Sequence, residues 1–238
     1  MNIRVKQLVP IFIGLILTVS LQCFAKNQSA PEPEDVVANA KAGVTEQMAM
    51  VSDLYTKALN EIDAGNTRAA KQLLDEILEK DPGYQYARLQ QGRLLIQTGS
   101  PEQAMAVLSP LLADSDADGK AWFWMGTASL MSGHLIKASD YLDTALSYNS
   151  QVAAVWLQRA VVAQERKNFE GALQLLQTAI ELSPDDPLIW LNFAYVNDQK
   201  GEKNTAIKAY RQFLKLSANK KGYDEQRKAV VSILLNVN

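Results

Sequence analysis

The chain has 238 residues, 47% hydrophobic and 21% charged, with 12 Gly, 8 Pro, one Cys, one His and a net charge of −2. One His and one Cys cannot build a His/Cys zinc site, a two-cysteine redox centre or a disulfide framework, and so even a charge balance gives no basic field to hold nucleic acid. The composition is that of a globular chain, neither disordered nor collagen-like, and the sparse Gly and Pro favour long helices over a turn-rich β-sandwich.

The N-terminus reads as an export signal over residues 1–25. Arg4 and Lys6 precede an uncharged 14-residue stretch, Leu8 to Leu21, and Cys23-Phe24-Ala25 forms an A-x-A-like cleavage triplet. Fourteen apolar residues fall short of the roughly 20 that a membrane-spanning helix needs. Two rival readings remain. The uncharged run stretches from Gln7 to Ala25, which permits an uncleaved inner-membrane anchor, and Cys23 could carry a lipoprotein modification. Against the second, Ser20 and Gln22 stand where such signals usually have Leu and a small residue. Cleavage after Ala25 removes the only cysteine and two basic residues, which leaves 22 basic against 26 acidic side chains. A cysteine-free chain suits an oxidising periplasm. Residues 26–43, polar and rich in Pro and Ala, cannot bury enough apolar surface to fold and read as a spacer. Asn27-Gln28-Ser29 matches a glycosylation sequon, a chance match in a tail of this composition.

From residue 44 to 220 the sequence repeats every 34 residues. Alanine recurs at 70, 104, 138, 172 and 206. Small residues recur at Ala58, Gly92, Gly126, Ala160 and Ala194, and large ones at Leu74, Leu108, Leu142, Leu176 and Tyr210. Gly65, Gly99, Gly133 and Gly201 keep the period, with Lys167 the one exception, and Trp122, Trp156 and Trp190 form a further column. The copies span 51–84, 85–118, 119–152, 153–186 and 187–220. Each predicts two helices split at the glycine column, where a left-handed residue stops the first. The two small columns are expected to face each other where the antiparallel helices cross. Asn66 and Ser100-Pro101-Glu102-Gln103, a capping box, are expected to start second helices. Asp81-Pro82, Ser183-Pro184 and Asp186-Pro187 are expected to divide one copy from the next. Residues 221–238 carry a stripe of Tyr223, Val230, Ile233, Leu234 and Val237, suited to a helix that covers the last copy. The first helix, beginning near Val44, is longer than its repeat needs and is expected to cover the other end.

The pattern resembles the tetratricopeptide repeat family. Trp156, Ala160, Ala172, Leu176, Ala179 and Pro184 fill the family's motif in copy four. Leu54 and Arg88 replace its early Trp, and Asp116, Ser150 and Ala218 its late Pro. The resemblance implies an all-α solenoid of five helix-turn-helix repeats with a C-terminal capping helix. It also implies a concave groove lined by the first helix of each copy, with Tyr86, Leu89, Arg93, Lys120, Phe123, Trp124, Leu157 and Tyr195 in the partner-binding columns. Tyr55, Leu59, Gln90, Ile96, Thr127, Leu130, Asn192 and others share those columns. Such an apolar, aromatic and Arg-bearing surface marks an interaction site when it is exposed. The Trp column belongs to the packing. A clamp for a partner's C-terminal carboxylate, known in the family, is disfavoured because only Lys120 occupies one of its places.

Nothing points to catalysis. His134 follows Gly133 in a turn; Asp185 and Asp186 suit helix-start chemistry. Asp114, Asp116 and Asp118 lack the Gly and later Glu of a calcium loop. No phosphate-binding glycine motif occurs. The expected protein is therefore a cofactor-free, non-catalytic scaffold or assembly factor of a bacterial envelope, located in the periplasm. Its expected partner is another envelope protein offering an apolar or amphipathic segment, with no nucleic acid. Membrane contact would come only through the N-terminal segment, and self-association stays open. By analogy within the family, pilus or secretion-system biogenesis, cytochrome c maturation and a purely structural spacer are the candidate settings.

Overall fold

A computed structural model describes residues 46–112 and 119–236. The expected signal segment, the spacer, the Asp114–Asp116–Asp118 turn and Val237 lie outside the described residues. Among those described there are eleven helices and no strand. They are α1 (Glu46–Asp63), α2 (Thr67–Lys80), α3 (Gln85–Gln97), α4 (Pro101–Leu112), α5 (Gly119–Met131), α6 (Leu135–Tyr148), α7 (Ala153–Glu165), α8 (Phe169–Leu182), α9 (Pro187–Lys200), α10 (Lys203–Ser217) and α11 (Asp224–Leu235). α1 and α2 form the first antiparallel pair, and four further pairs follow at the 34-residue period. α11 packs on α10, so the last copy does not end bare.

The break between the two helices of each copy has one geometry. Gly65, Gly99, Gly133 and Gly201 adopt φ of +78°, +77°, +75° and +92°. Lys167, the odd member of the column, is held there too, at φ +59°, and is the one non-glycine with positive φ among the described residues. In each copy the residue after this position donates its N–H to a carbonyl five residues back, as Asn168 N does to Ala163 O at 2.9 Å and His134 N to Ser129 O at 2.8 Å. That is the Schellman closure, which satisfies carbonyls the helix end would otherwise leave bare. At this turn the helix-end bonds of Lys167 N to Gln164 O and Asn168 N to Ala163 O accompany a conformation that costs an L-residue about 1–2 kcal/mol.

Helix starts follow the expected chemistry only in part. Asp186 Oδ1 accepts from Leu188 N at 2.8 Å with Pro187 at the first helical place, and Asn168 Oδ1 accepts from Gly171 N at 3.0 Å. Asn66 does not cap through its side chain. Its Nδ2 instead donates back to Glu61 at 2.8 Å, tying the end of α1 to the start of α2. In the expected capping box, the Glu102 carboxylate reaches the next copy, where Ser132 Oγ donates to it at 2.9 Å.

The small column of the first helix also faces the large column of the second. A Cβ added to Gly92 would lie 2.5 Å from the Leu108 side chain, and one on Gly126 would lie 2.7 Å from Leu142 Cγ. The small residue of the first helix therefore makes room for the large column of the second. The leucine fills the cleft, and glycine lets the backbones close on it.

Copies are joined by polar ties that alternate. Asp75 of α2 accepts from Gln91 of α3, and Asp143 of α6 takes Arg159 of α7 in a two-pronged pair at 2.6 and 2.9 Å. Those are the same two repeat positions at the first and third junctions. The second and fourth junctions use another pair: Glu102 of α4 with Ser132, and Glu170 of α8 with Lys200 of α9 at 3.3 Å. The true unit of the inter-copy polar contacts is thus two repeats.

Candidate functional site

The first helices form one layer of the solenoid. Those of the second to fifth copies (α3, α5, α7, α9) touch their counterparts in the adjacent copies directly. This is the face on which the sequence placed its candidate residues.

The structure divides those residues. Tyr86 is exposed at 43%, while Leu89, Arg93 and Lys120 are partly buried. Phe123 (2%), Trp124 (4%), Leu157 (3%) and Tyr195 (4%) are buried. The face is thus open at Tyr86 and partly open at Leu89, Arg93 and Lys120, while Gln90 and Ile96 in the second copy are already buried. Phe123 and Trp124 meet edge to face at 4.9 Å, the geometry of packed aromatics. Polar members of the same columns are buried as well. Thr127 donates to Phe123 O at 2.9 Å and Asn192 to Leu188 O at 2.8 Å, each using its own helix four residues back.

The first two copies build something different. Tyr55, Tyr84 and Tyr86 form a three-ring cluster with centroids 5.5 to 6.3 Å apart. Tyr55 comes from α1, Tyr84 from the turn before α3 and Tyr86 from its first turn. Beside them Arg93 Nη1 donates to Gln90 Oε1 at 3.2 Å. Burial pushes the Tyr55 phenol above its ordinary value, and it pushes Tyr84 up to about 12, with Tyr86 adding to the shift. Both hydroxyls therefore stay protonated donors. Burial lowers the Arg93 guanidinium, opposed chiefly by Asp63. At the far end Tyr195 is pushed up to about 12 by burial and then by Glu165.

Tyr84 escaped the sequence reading because it stands in a turn, outside the helical columns. The Tyr84-Gln85-Tyr86 spacing, two rings around one residue, was the available signal. The Trp column has a role that spacing did not reveal. Trp156 Nε1 donates to Ser150 O at 2.8 Å and Trp190 Nε1 to Pro184 O at 2.7 Å, each six residues back in the inter-copy turn. Arg88, which replaces Trp in the second copy, makes the same bond through Nη2 to Pro82 O at 2.6 Å. The departure from the motif therefore preserves the donor that pins the turn. Trp122 stacks on Tyr141 at 5.8 Å.

His134 is exposed in its turn. Among the described residues no group of three or more His, Cys, Asp or Glu is placed to hold a metal ion, and no helix is long and apolar enough to cross a membrane.

Family models described as tetratricopeptide repeat match residues 61–123, 129–191 and 188–220. The first two matches start 68 residues apart, which is the two-repeat unit of the polar ties. A curated relative, cellulose synthase 2 operon protein C of Komagataeibacter xylinus, is 28% identical over 160 residues. That match takes in 66% of this chain and 12% of the relative, so the chain spans about an eighth of its length. Among solved structures, a thermophilic TPR protein of Thermus thermophilus superposes with a TM-score of 0.68 at 20% identity, covering 78% of this chain and 99% of that one. MamA of Desulfovibrio magneticus RS-1 gives a TM-score of 0.63 at 15% identity, with 75% and 99% coverage. At such identities these likenesses speak to the fold.

Proposed function

The chain belongs to the tetratricopeptide repeat family, a family of protein-interaction scaffolds that are generally non-catalytic, and from that premise we propose that it serves a bacterial envelope by holding a segment of another protein. The segment lies on the inner face at the second copy and the start of the third, against Tyr86, Leu89, Arg93 and Lys120. The observation that carries this reading is the contrast in burial along the predicted columns. Tyr86, at 43% exposed, offers an aromatic anchor beside the partly buried Leu89 and Arg93, whereas Phe123 and Leu157 in the column of Leu89 and Thr127 and Tyr195 in the column of Arg93 are buried. Aromatic and arginine side chains provide most anchor energy in interfaces. Phe123 and Trp124 belong to the core against which Leu89 packs, and Leu157 and Tyr195 to the separate core of the last two copies.

The envelope setting rests on the charged, apolar and small-residue order of residues 1–25. The likeness to a cellulose synthase operon protein is consistent with it. Fold does not fix function, so the partner is defined by experiment. A photo-crosslinking residue at position 86 is expected to trap a discrete adduct in intact cells, and one at Lys208, exposed on α10, is not. No adduct at 86, or the same adduct from both positions, would end the inner-face reading. Recovery of the chain in the cytoplasmic fraction would end the envelope part.

A further inference from the structure

The second helices, which form the outer layer, differ in charge, and the last stands apart. α2 carries three cationic and three acidic residues, α6 one and two, α4 none and one, and α8 none and two. α10 carries Lys203, Lys208, Arg211 and Lys215 and no acidic residue. Acids do not resume until Asp224, so Lys220 and Lys221 extend the run through the turn. All six side chains are exposed. Two are already engaged: Lys203 reaches Asp198 at 3.9 Å, and Lys220 donates to Asp185 O at 3.2 Å. Lys208, Arg211, Lys215 and Lys221 have no hydrogen bond or ion pair among the described residues.

Other helices supply their own counter-ions. Lys71 pairs with Asp75 and Lys80 with Glu76 in α2, and Arg227 with Asp224 and Lys228 with Glu225 in α11. In α10 the spacings of three and four residues that make such pairs join cations to cations, Lys208 with Arg211 and Arg211 with Lys215. Like charges at these spacings weaken a helix. The last turn favours a cation at Lys215, but Lys208 and Arg211 stand in the middle of the helix, beyond that benefit. The opposite side of α10 is buried through Ala206, Ala209, Tyr210 and Phe213, so the cations form one outward stripe. Its missing complement is an anion from outside the chain.

Three kinds of surface carry enough negative charge. A nucleic acid is held along many phosphates, and a net charge of −2 withholds the field that this needs. A protein interface has an apolar or aromatic centre and few lysines, whereas Tyr210, Phe213 and Tyr223 are all buried. A plane of phosphate headgroups needs neither feature. It is held by summed charge, for which roughly four to eight Lys or Arg on an amphipathic helix suffice.

We propose that the outer face of α10 and the turn after it dock the last copy on an anionic membrane surface, with Lys208, Arg211, Lys215 and Lys221 against the headgroups. This contact is additional to the one expected through the N-terminal segment. It lies in the outer layer, so the inner face stays free to hold its partner, and a lipid at Lys208 gives no protein adduct there.

The test is sedimentation of the full chain with vesicles of phosphatidylcholine alone and with vesicles of phosphatidylcholine and phosphatidylglycerol in equal parts. Two variants are compared with the unaltered chain. One carries Lys208→Gln, Arg211→Gln and Lys215→Gln. The other carries Arg68→Gln, Lys71→Gln and Lys137→Gln, which removes the same charge from other second helices. All six side chains are exposed, so both variants are expected to unfold at the unaltered midpoint. The N-terminal segment is common to all three chains, and the readout is therefore the ratio of binding to anionic over neutral vesicles. The unaltered chain is expected to prefer anionic vesicles. The α10 variant should lose that preference by about fivefold per cation, or roughly a hundredfold in all, and the other variant should keep it. Equal binding of the unaltered chain to both kinds of vesicle, or equal loss in the two variants, overturns the membrane contact. So does displacement from anionic vesicles by a glutamate-rich peptide at equal charge, which would give the stripe to an acidic protein segment.

Discussion

The two helical layers bury themselves in different ways. In the outer layer burial follows a stripe: Ala70, Leu74 and Ile77 in α2, or Ala104, Leu108 and Leu111 in α4. Spacings of three and four residues make one covered side and one wet side. In the inner helices of the middle copies burial is continuous, whereas α1 at the start of the layer keeps a stripe of Val51, Tyr55 and Ala58. Every residue from Phe123 to Leu130 in α5 is buried, as are Ala160 to Gln164 in α7. Eight consecutive buried residues cover every side of a helix. An outer helix needs only its partner and the next copy's first helix. An inner helix is enclosed by its own partner, by the preceding copy's second helix and by its counterparts in adjacent copies. Apolar character on the inner face is therefore structural where it is enclosed, and available for binding only where the enclosure ends, at Tyr86.

The largest test of that contrast is Phe123→Ala. As an enclosed residue it should lose about 3–5 kcal/mol of stability in chemical denaturation. A loss below about 0.5 kcal/mol, the size of an ordinary surface change, would place Phe123 on an open face. Next comes Gly126→Ala, which forces a Cβ to within 2.7 Å of Leu142 Cγ. Overpacking of this kind should cost about 1–3 kcal/mol, read as a lower unfolding midpoint. An unchanged midpoint would mean that α5 and α6 slide apart freely. Trp190→Phe keeps a six-membered aromatic ring but removes the pyrrole ring with its donor to Pro184 O, so at least about 1 kcal/mol should be lost. Hydrogen exchange should then quicken in the turn before α9. The smallest change runs the other way. Lys167→Gly should stabilise by about 1 kcal/mol, since glycine occupies the left-handed region without the side-chain clash. A destabilised Lys167→Gly would show that the lysine side chain contributes more than its backbone strain costs.

The outer layer and the turns were legible because their signals are local. A column of Ala70, Ala104, Ala138, Ala172 and Ala206 reports one helix face repeated five times. Gly65, Gly99 and Gly133 report a conformation that few other residues accept. The candidate site was legible as a set of columns but not as an accessible surface. Leu89 and Phe123 occupy the same binding column in successive copies, yet one is partly buried and the other only 2% exposed. Spacing cannot distinguish them, because exposure depends on how closely helices from different copies approach. The cluster of Tyr55, Tyr84 and Tyr86 was invisible for the same reason. Its rings come from α1, a turn and α3, which only folding brings together.

By itself the sequence determined the repeat, its period and its all-helical character. Those follow from which residue types recur at fixed intervals along one chain. The tertiary structure decided three further things. It set the small column of the inner helices against the large column of the outer ones. It alternated the polar ties so that Asp75–Gln91 and Asp143–Arg159 mark one kind of junction and Glu102–Ser132 and Glu170–Lys200 the other. It also closed most of the inner face while leaving Tyr86 accessible and Arg93 without a carboxylate among the described residues. Each of these depends on distances between residues far apart in sequence. Such distances are fixed by how side-chain volumes fill the space between helices, and a periodic pattern does not carry that information.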